Sequence, residues 1–169
     1  MDPLIPRELH HRPLPARPPD TLRRSLWPVA LPAAIAAALA CPAATWWCVG
    51  DLSTVPLSAD PDYAFRPLAV SPAVERMAGA GATALAAASL IILVILTIRR
   101  RMAGQWWWVL GPLLCAGLIG GAGWRVMTAG VIGANFGAGF VLLAGPPAVI
   151  GLLLWAAGAA SSLARRPRQ

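Results

Sequence analysis

The sequence predicts an all-α protein, an integral membrane four-helix bundle with both termini in the cytoplasm. Three observations predict it. The 169 residues are 57% apolar and only 12% charged, whereas a soluble domain carries about a quarter charged residues and somewhat under half apolar ones. Mean hydropathy is correspondingly high, at +0.63. The apolar residues gather into four stretches of about 19 residues or more, the length a helix needs to cross a hydrocarbon core. Finally, a single threading puts eleven of the fourteen arginines on one side and three on the other, the asymmetry that marks cytoplasmic segments. These features exclude an ordinary soluble enzyme, a wholly disordered chain and a disulfide-stapled secreted domain.

Residues 1–25 carry six prolines and five arginines. Too little apolar surface is left to offset the ordering entropy, so this segment reads as a disordered cytoplasmic tail. The four-helix domain spans 26–160. Its first span covers about 26–49, with Trp27 at the inner end and Trp46 and Trp47 at the outer end, where amphipathic rings prefer the headgroup level. Pro28 and Pro32 sit in its first turns, and Pro42 lies deep enough to kink it. Ala38-Leu39-Ala40-Cys41 loosely resembles a lipoprotein cleavage site, but the leucine is misplaced, Pro42 follows the cysteine and the leader is too long. The segment therefore reads as a retained helix.

An outer loop, 51–77, separates the first two spans. Ser71-Pro72-Ala73-Val74-Glu75 is a helix start within it. Serine caps free N–H groups, proline suits the first helical position, and glutamate favours the positive end of the helix dipole. The apolar part of that helix is about 79–98. Arg99-Arg100-Arg101 forms a cytoplasmic turn leading to Trp106-Trp107-Trp108 and a third span, about 106–124. The connection Val126 to Asn135 is short, apolar and glycine-bearing, which suggests a segment dipping back into the outer leaflet under protein cover. The fourth span is about 136–160, broken near its middle by Pro146 and Pro147. Residues 161–169 form a basic cytoplasmic tail. All eight tryptophans fall near interfaces under this threading.

The net charge of +7 is carried entirely by arginine, with no lysine. In a soluble protein this balance would point to nucleic acid, but no basic stripe interleaves with aromatics on a folded domain, so nucleic acid is not an expected partner. The arginine clusters flank apolar spans and read as topology and headgroup contacts, with the lipid bilayer as partner. The all-arginine, alanine- and proline-rich usage resembles that of a high-GC bacterial genome, which places the protein in a bacterial cell (plasma) membrane.

Catalytic constellations fail on residue types. The two histidines, His10 and His11, lie in the tail, so no nucleophile in the spans has an imidazole base and no bis-histidine haem can form. Without lysine there is no phosphate-binding P-loop. Cys41, Cys48 and Cys115 form no CxxC pair. Cys41 and Cys48 share a helix face but sit about 10 Å apart along it, too far for a disulfide. Cys41 and Cys115 read as small buried apolar residues, and Cys48 as an outer-interface thiol. Asp60 and Asp62 could ligate a hard cation, yet lack the remaining oxygens of a calcium loop and read as solvated turn acids. Neither a cofactor nor a metal is implied.

No acid follows Glu75, and none lies deep within a span, which weakens a proton- or cation-coupled carrier. A homo-oligomeric pore lined by Thr83, Ser89, Thr97 and Thr128 is the alternative transport reading. Two GxxxG spacings, Gly117 with Gly121 and Gly133 with Gly137, suggest close helix packing, within one subunit or between subunits. Arg125, at the outer end of the third span, is costly there unless it snorkels to headgroups or pairs. Asp51 and Glu75 are the acids on its side, and the three define a candidate polar pocket roofed by the Val126–Asn135 connection.

The expected function is non-enzymatic: an accessory or scaffold subunit of the cell membrane, associated with another membrane protein or with itself. The alternative is a small homo-oligomeric channel or exporter, and an envelope enzyme using the outer acids comes third.

Overall fold

The computed structural model describes residues 27–54, 61–67, 70–133 and 135–165. Among these, four long helices follow one another: α1 (Trp27–Val49), α2 (Pro72–Ile98), α3 (Trp107–Met127, preceded by a 3-10 turn over Gly104–Trp106) and α4 (Phe136–Arg165). No strand occurs among the described residues, only an isolated antiparallel bridge between Asp62 and Val131. All four helices are long and apolar enough to cross a membrane, so the fold is compatible with a multi-pass membrane protein. The 27 residues of α2 and the 30 of α4 extend about 40 and 45 Å, beyond the roughly 30 Å of a hydrocarbon core.

Local chemistry sets the helix ends. The Ser71 hydroxyl accepts from the Val74 N–H at 3.4 Å, with Pro72 at the first position and Glu75 in the first turn. Gly50 ends α1 at φ +74, a left-handed conformation that costs glycine little, and its N–H returns to the Trp47 carbonyl. Asn135 caps α4, its Oδ1 accepting from the Ala138 N–H at 2.9 Å.

α1 and α3 form the middle of the bundle. α1 packs against both α2 and α3, and α4 lies on α3. Ala37 and Leu93 are completely buried, in a cluster with Ala33 and Leu110 that Trp107 and Leu114 surround. Toward the other end of α1, Ala40 and Ala44 meet Ala86 of α2. Alanine at these positions lets two backbones approach closely, the device membrane helices use where no hydrophobic effect drives them together. Large apolar side chains point outward instead: Phe136 is 87% exposed and Leu39 75%.

The seam between α1 and α3 is built on Gly117 and Gly121, both buried. A Cβ at Gly117 would lie 3.2 Å from the Cys41 Cβ and Sγ, and one at Gly121 would run into the Pro42 carbonyl. The closest approach of this seam therefore occurs at Pro42 of α1. The second GxxxG spacing has no such role. Gly133 lies before α4 at φ +80, exposed, with open space where a Cβ would be, and Gly137 meets only Val126 and Asn135. The spacing does not mark one helical face, because its first glycine is a turn residue.

One further expectation is corrected. Cys41 is buried, but Cys115 is exposed on the outside of α3. The third helix continues to Met127, which places Arg125 in its last turn and shortens the connection that follows. That connection does not stand alone, because the loop between α1 and α2 clasps it. The Thr54 N–H donates to the Gly130 carbonyl at 3.0 Å, and the Asp62 and Val131 backbones exchange bonds of 2.9 and 3.1 Å. The Phe65 N–H donates to the Met127 carbonyl, and the Phe65 and Trp124 rings meet at 6.1 Å. These bonds give the carbonyl of buried Gly130, and the backbones of Met127 and Val131 on either side, protein partners.

Candidate functional site

Polar side chains gather at the clasped end of the bundle. Arg125 projects from the last turn of α3, where the negative end of the helix dipole favours a cation, and Glu75 from the first turn of α2, where the positive end favours an anion. Arg125 Nη2 lies 3.2 Å from Glu75 Oε1, with the two side chains 15% and 31% exposed. The Arg125 Nε–H donates to the Gly50 carbonyl just beyond α1. Its guanidinium carbon stands 4.7 Å from the centroid of the Trp46 ring, close enough for a cation–π contact. One guanidinium thus ties together the ends of three helices. With these partners it has no need to reach out to headgroups.

Asp51 belongs to the same region but not to the ion pair. Its Oδ1 accepts from the Ser53 N–H at 3.0 Å and the Ser53 hydroxyl at 2.8 Å, a local Asx turn. The Ser53 backbone bond holds the Asp51 carboxyl below the ordinary aspartate range; the Ser53 hydroxyl and then Arg125 add to this, and partial burial opposes it. A carboxylate depressed in this way stabilises the fold above its unfolded-state pKa, and that stability is lost as pH falls through the lowered folded value. Asp51→Asn is accordingly expected to lower the melting temperature at neutral pH, where the carboxylate contributes, and to converge with wild type in acid, so that the acid limb of the profile flattens. An acid limb identical to wild type would contradict the assignment.

Ser53 extends the network, since its Oγ accepts from the Gly130 N–H at 3.1 Å. Asp62 Oδ2 accepts from the Gly133 N–H at 3.3 Å. The sequence reading missed Ser53 and Asn135 as organising residues. The Asp-x-Ser spacing at Asp51 and an asparagine just before a helix were the available signals.

Arg125, expected to share a polar pocket with Asp51 and Glu75, is engaged by Glu75, the Gly50 carbonyl and the Trp46 ring. Open cavities lie elsewhere. One, of about 290 Å3, is bordered by Asp62, Tyr63, Gly133, Asn135 and Leu142. Another, of about 640 Å3, lies at the far end between α3 and α4 beside the stacked rings of Trp108 and Trp155, whose centroids are 6.3 Å apart. Among the described residues no three histidine, cysteine or acidic side chains converge as metal ligands would. His10, His11 and Asp60 lie outside the described residues.

No family model, curated protein or solved structure matches this chain. Four helices able to cross a membrane, closed at one end by an arginine-centred clasp, are what the fold and the site define.

Proposed function

We propose that the chain is a non-enzymatic multi-pass protein of the bacterial cell membrane, with both termini cytoplasmic, acting as an accessory or scaffold subunit of a larger assembly. The observation that carries this reading is where the polar groups are committed. Arg125, Glu75, Asp51 and Ser53 bind one another and neighbouring backbone at the clasped end. The hydroxyls considered for a pore turn back on their own helices. Thr83 donates to the Gly79 carbonyl at 2.9 Å, Thr97 to Leu93 at 2.8 Å and Thr128 to Trp124 at 2.9 Å, while Ser89 is buried. Each of these threonine hydroxyls has its proton committed to its own helix, and Thr97 also accepts from the Trp107 indole N–H at 3.0 Å.

The arrangement supports binding over transport. The exposed apolar faces of α2 and α4 suit lipid and neighbouring helices, and the clasp presents a fixed loop surface outside the membrane. In mild detergent the full chain should run as part of a stable complex of defined stoichiometry when its native membrane is solubilised. Reconstituted alone into liposomes, it should give no ion or solute flux above protein-free vesicles. Robust flux from the purified chain, with no complex in the native membrane, would replace this reading with the homo-oligomeric channel.

A further inference from the structure

The two consecutive prolines of α4 leave one backbone acceptor without its usual helical donors. Proline lacks an N–H, so the carbonyl four residues earlier loses its helical bond. At Pro146 and Pro147 the losses converge on one atom. The Leu143 carbonyl has Pro147 at i+4 and Pro146 at i+3, so neither an α nor a 3-10 bond can reach it. The next N–H, that of Ala148, is the i+4 donor of Ala144. No side chain among the described residues donates to the Leu143 carbonyl.

The position of this acceptor matters as much as its lack of a partner. α4 packs on α3 through the side that carries Ala138, Val141 and Ala156. At roughly 100° per residue, Phe136, Leu143, Pro147, Ile150 and Leu154 fall on the opposite side. Leu143 is 79% exposed and both prolines are exposed. Leu143 lies about 10 Å along the helix from Phe136, within its apolar stretch. Pro42 differs, since it faces the Gly117–Gly121 seam inside the fold. Prolines persist in membrane helices where neighbouring helices, hydroxyls or water satisfy the freed carbonyl. On this face of α4 no described residue supplies a neighbouring helix or a hydroxyl.

We propose that the outward face of α4 docks a transmembrane helix of a different protein, which presents a hydroxyl or carboxamide donor at the depth of Leu143 to its carbonyl. The inference rests on the accessory-subunit reading and names the chemistry of its partner. Complementarity selects the occupant: a bare carbonyl carries partial negative charge and calls for an N–H or O–H. Acyl chains have neither. A second copy is poorly equipped, because Thr45, Thr83 and Thr97 donate to their own helices and Ser89 is buried. The Cys115 thiol, exposed on α3, is only a weak donor.

The test uses the labelled full-length protein in vesicles with synthetic single-span leucine–alanine helices, one carrying a central asparagine and the other none, and reads binding by energy transfer. The wild type should prefer the asparagine helix by about three- to tenfold, the range expected of one interhelical hydrogen bond. Pro147→Ala restores an i+4 N–H to the Leu143 carbonyl and should abolish that preference while leaving the fold at least as stable. Pro146→Ala restores the i+4 donor of Leu142 rather than that of Leu143, and should weaken the preference less than Pro147→Ala does. Equal binding of both helices to wild type, or an undiminished preference in Pro147→Ala, would overturn the proposal. Energy transfer between two differently labelled copies, without peptide and lost in Pro147→Ala, would also overturn it by making a second copy the occupant. None of these outcomes depends on isolating a native complex, so failure here is distinct from failure of the accessory-subunit reading.

Discussion

Gly117→Leu combined with Gly121→Leu is expected to separate α1 from α3 and cost about 3 kcal/mol or more of stability, at or above the upper end of ordinary overpacking. The reason lies in what the new side chains would meet. At Gly121 even a Cβ collides with the Pro42 carbonyl, a backbone atom that cannot rotate aside, and the Thr45 Cβ is also within 2.9 Å. At Gly117 the neighbours are Cys41 and the Pro42 ring. Gly121→Ala alone should therefore lower the melting temperature in detergent. Gly120→Leu, on the same helix but with no atom within 4 Å of its Cβ, should leave it nearly unchanged. If the double variant melted like wild type, α1 and α3 would not pack through this seam.

Arg125→Ala should produce the second-largest loss, roughly 2 kcal/mol, because it removes an ion pair, a carbonyl bond and a cation–π contact and leaves Glu75 half-buried without its partner. The figure is set below the cost of breaking a fully buried pair because Glu75 is 31% exposed. A double-mutant cycle separates the acids. Arg125→Ala with Glu75→Gln should fall short of additivity by about 1 kcal/mol, as contacting residues do. Arg125→Ala with Asp51→Asn should be close to additive, since the Asp51 carboxylate bonds to Ser53. Additivity in the Glu75 cycle would remove the ion pair from this account.

The Arg125 partnership illustrates how much of the site was legible in the sequence. A lone arginine next to an apolar connection, with only a few acids on its side, narrows the partners to Asp51 and Glu75. What decides between them is local. Ser53 already occupies Asp51, and Glu75 stands on the first turn of α2 facing the last turn of α3. The backbone clasp between the loop after α1 and residues 128–133 was not legible, because it pairs main-chain groups some 70 residues apart and leaves no side-chain pattern.

That there are four helices long and apolar enough to cross a membrane was legible, since length and apolarity are the signals a bilayer requires. Which face of each span is buried was harder to read. In a soluble helix the polar stripe marks the outside, but here both faces are apolar and that contrast is absent. Cys41 and Cys115 have similar apolar neighbours in sequence, yet one is buried and the other exposed. Gly117–Gly121 and Gly133–Gly137 share a spacing, yet only the first pair lies within one helix and on its packed face.

Labelling with an impermeant maleimide in intact bacterial cells tests the account most directly, because everything proposed depends on four crossings with the clasp outside and both termini inside. Cys48, exposed at the end of α1 next to the clasp, should react in intact cells. A cysteine introduced by Ser161→Cys, near the far end of α4, should react only after the membrane is permeabilised. Cys115, exposed but midway along α3, should stay unlabelled, because the reagent does not enter hydrocarbon. Labelling of Ser161→Cys in intact cells, with Cys48 protected until permeabilisation, would invert the threading and contradict the account.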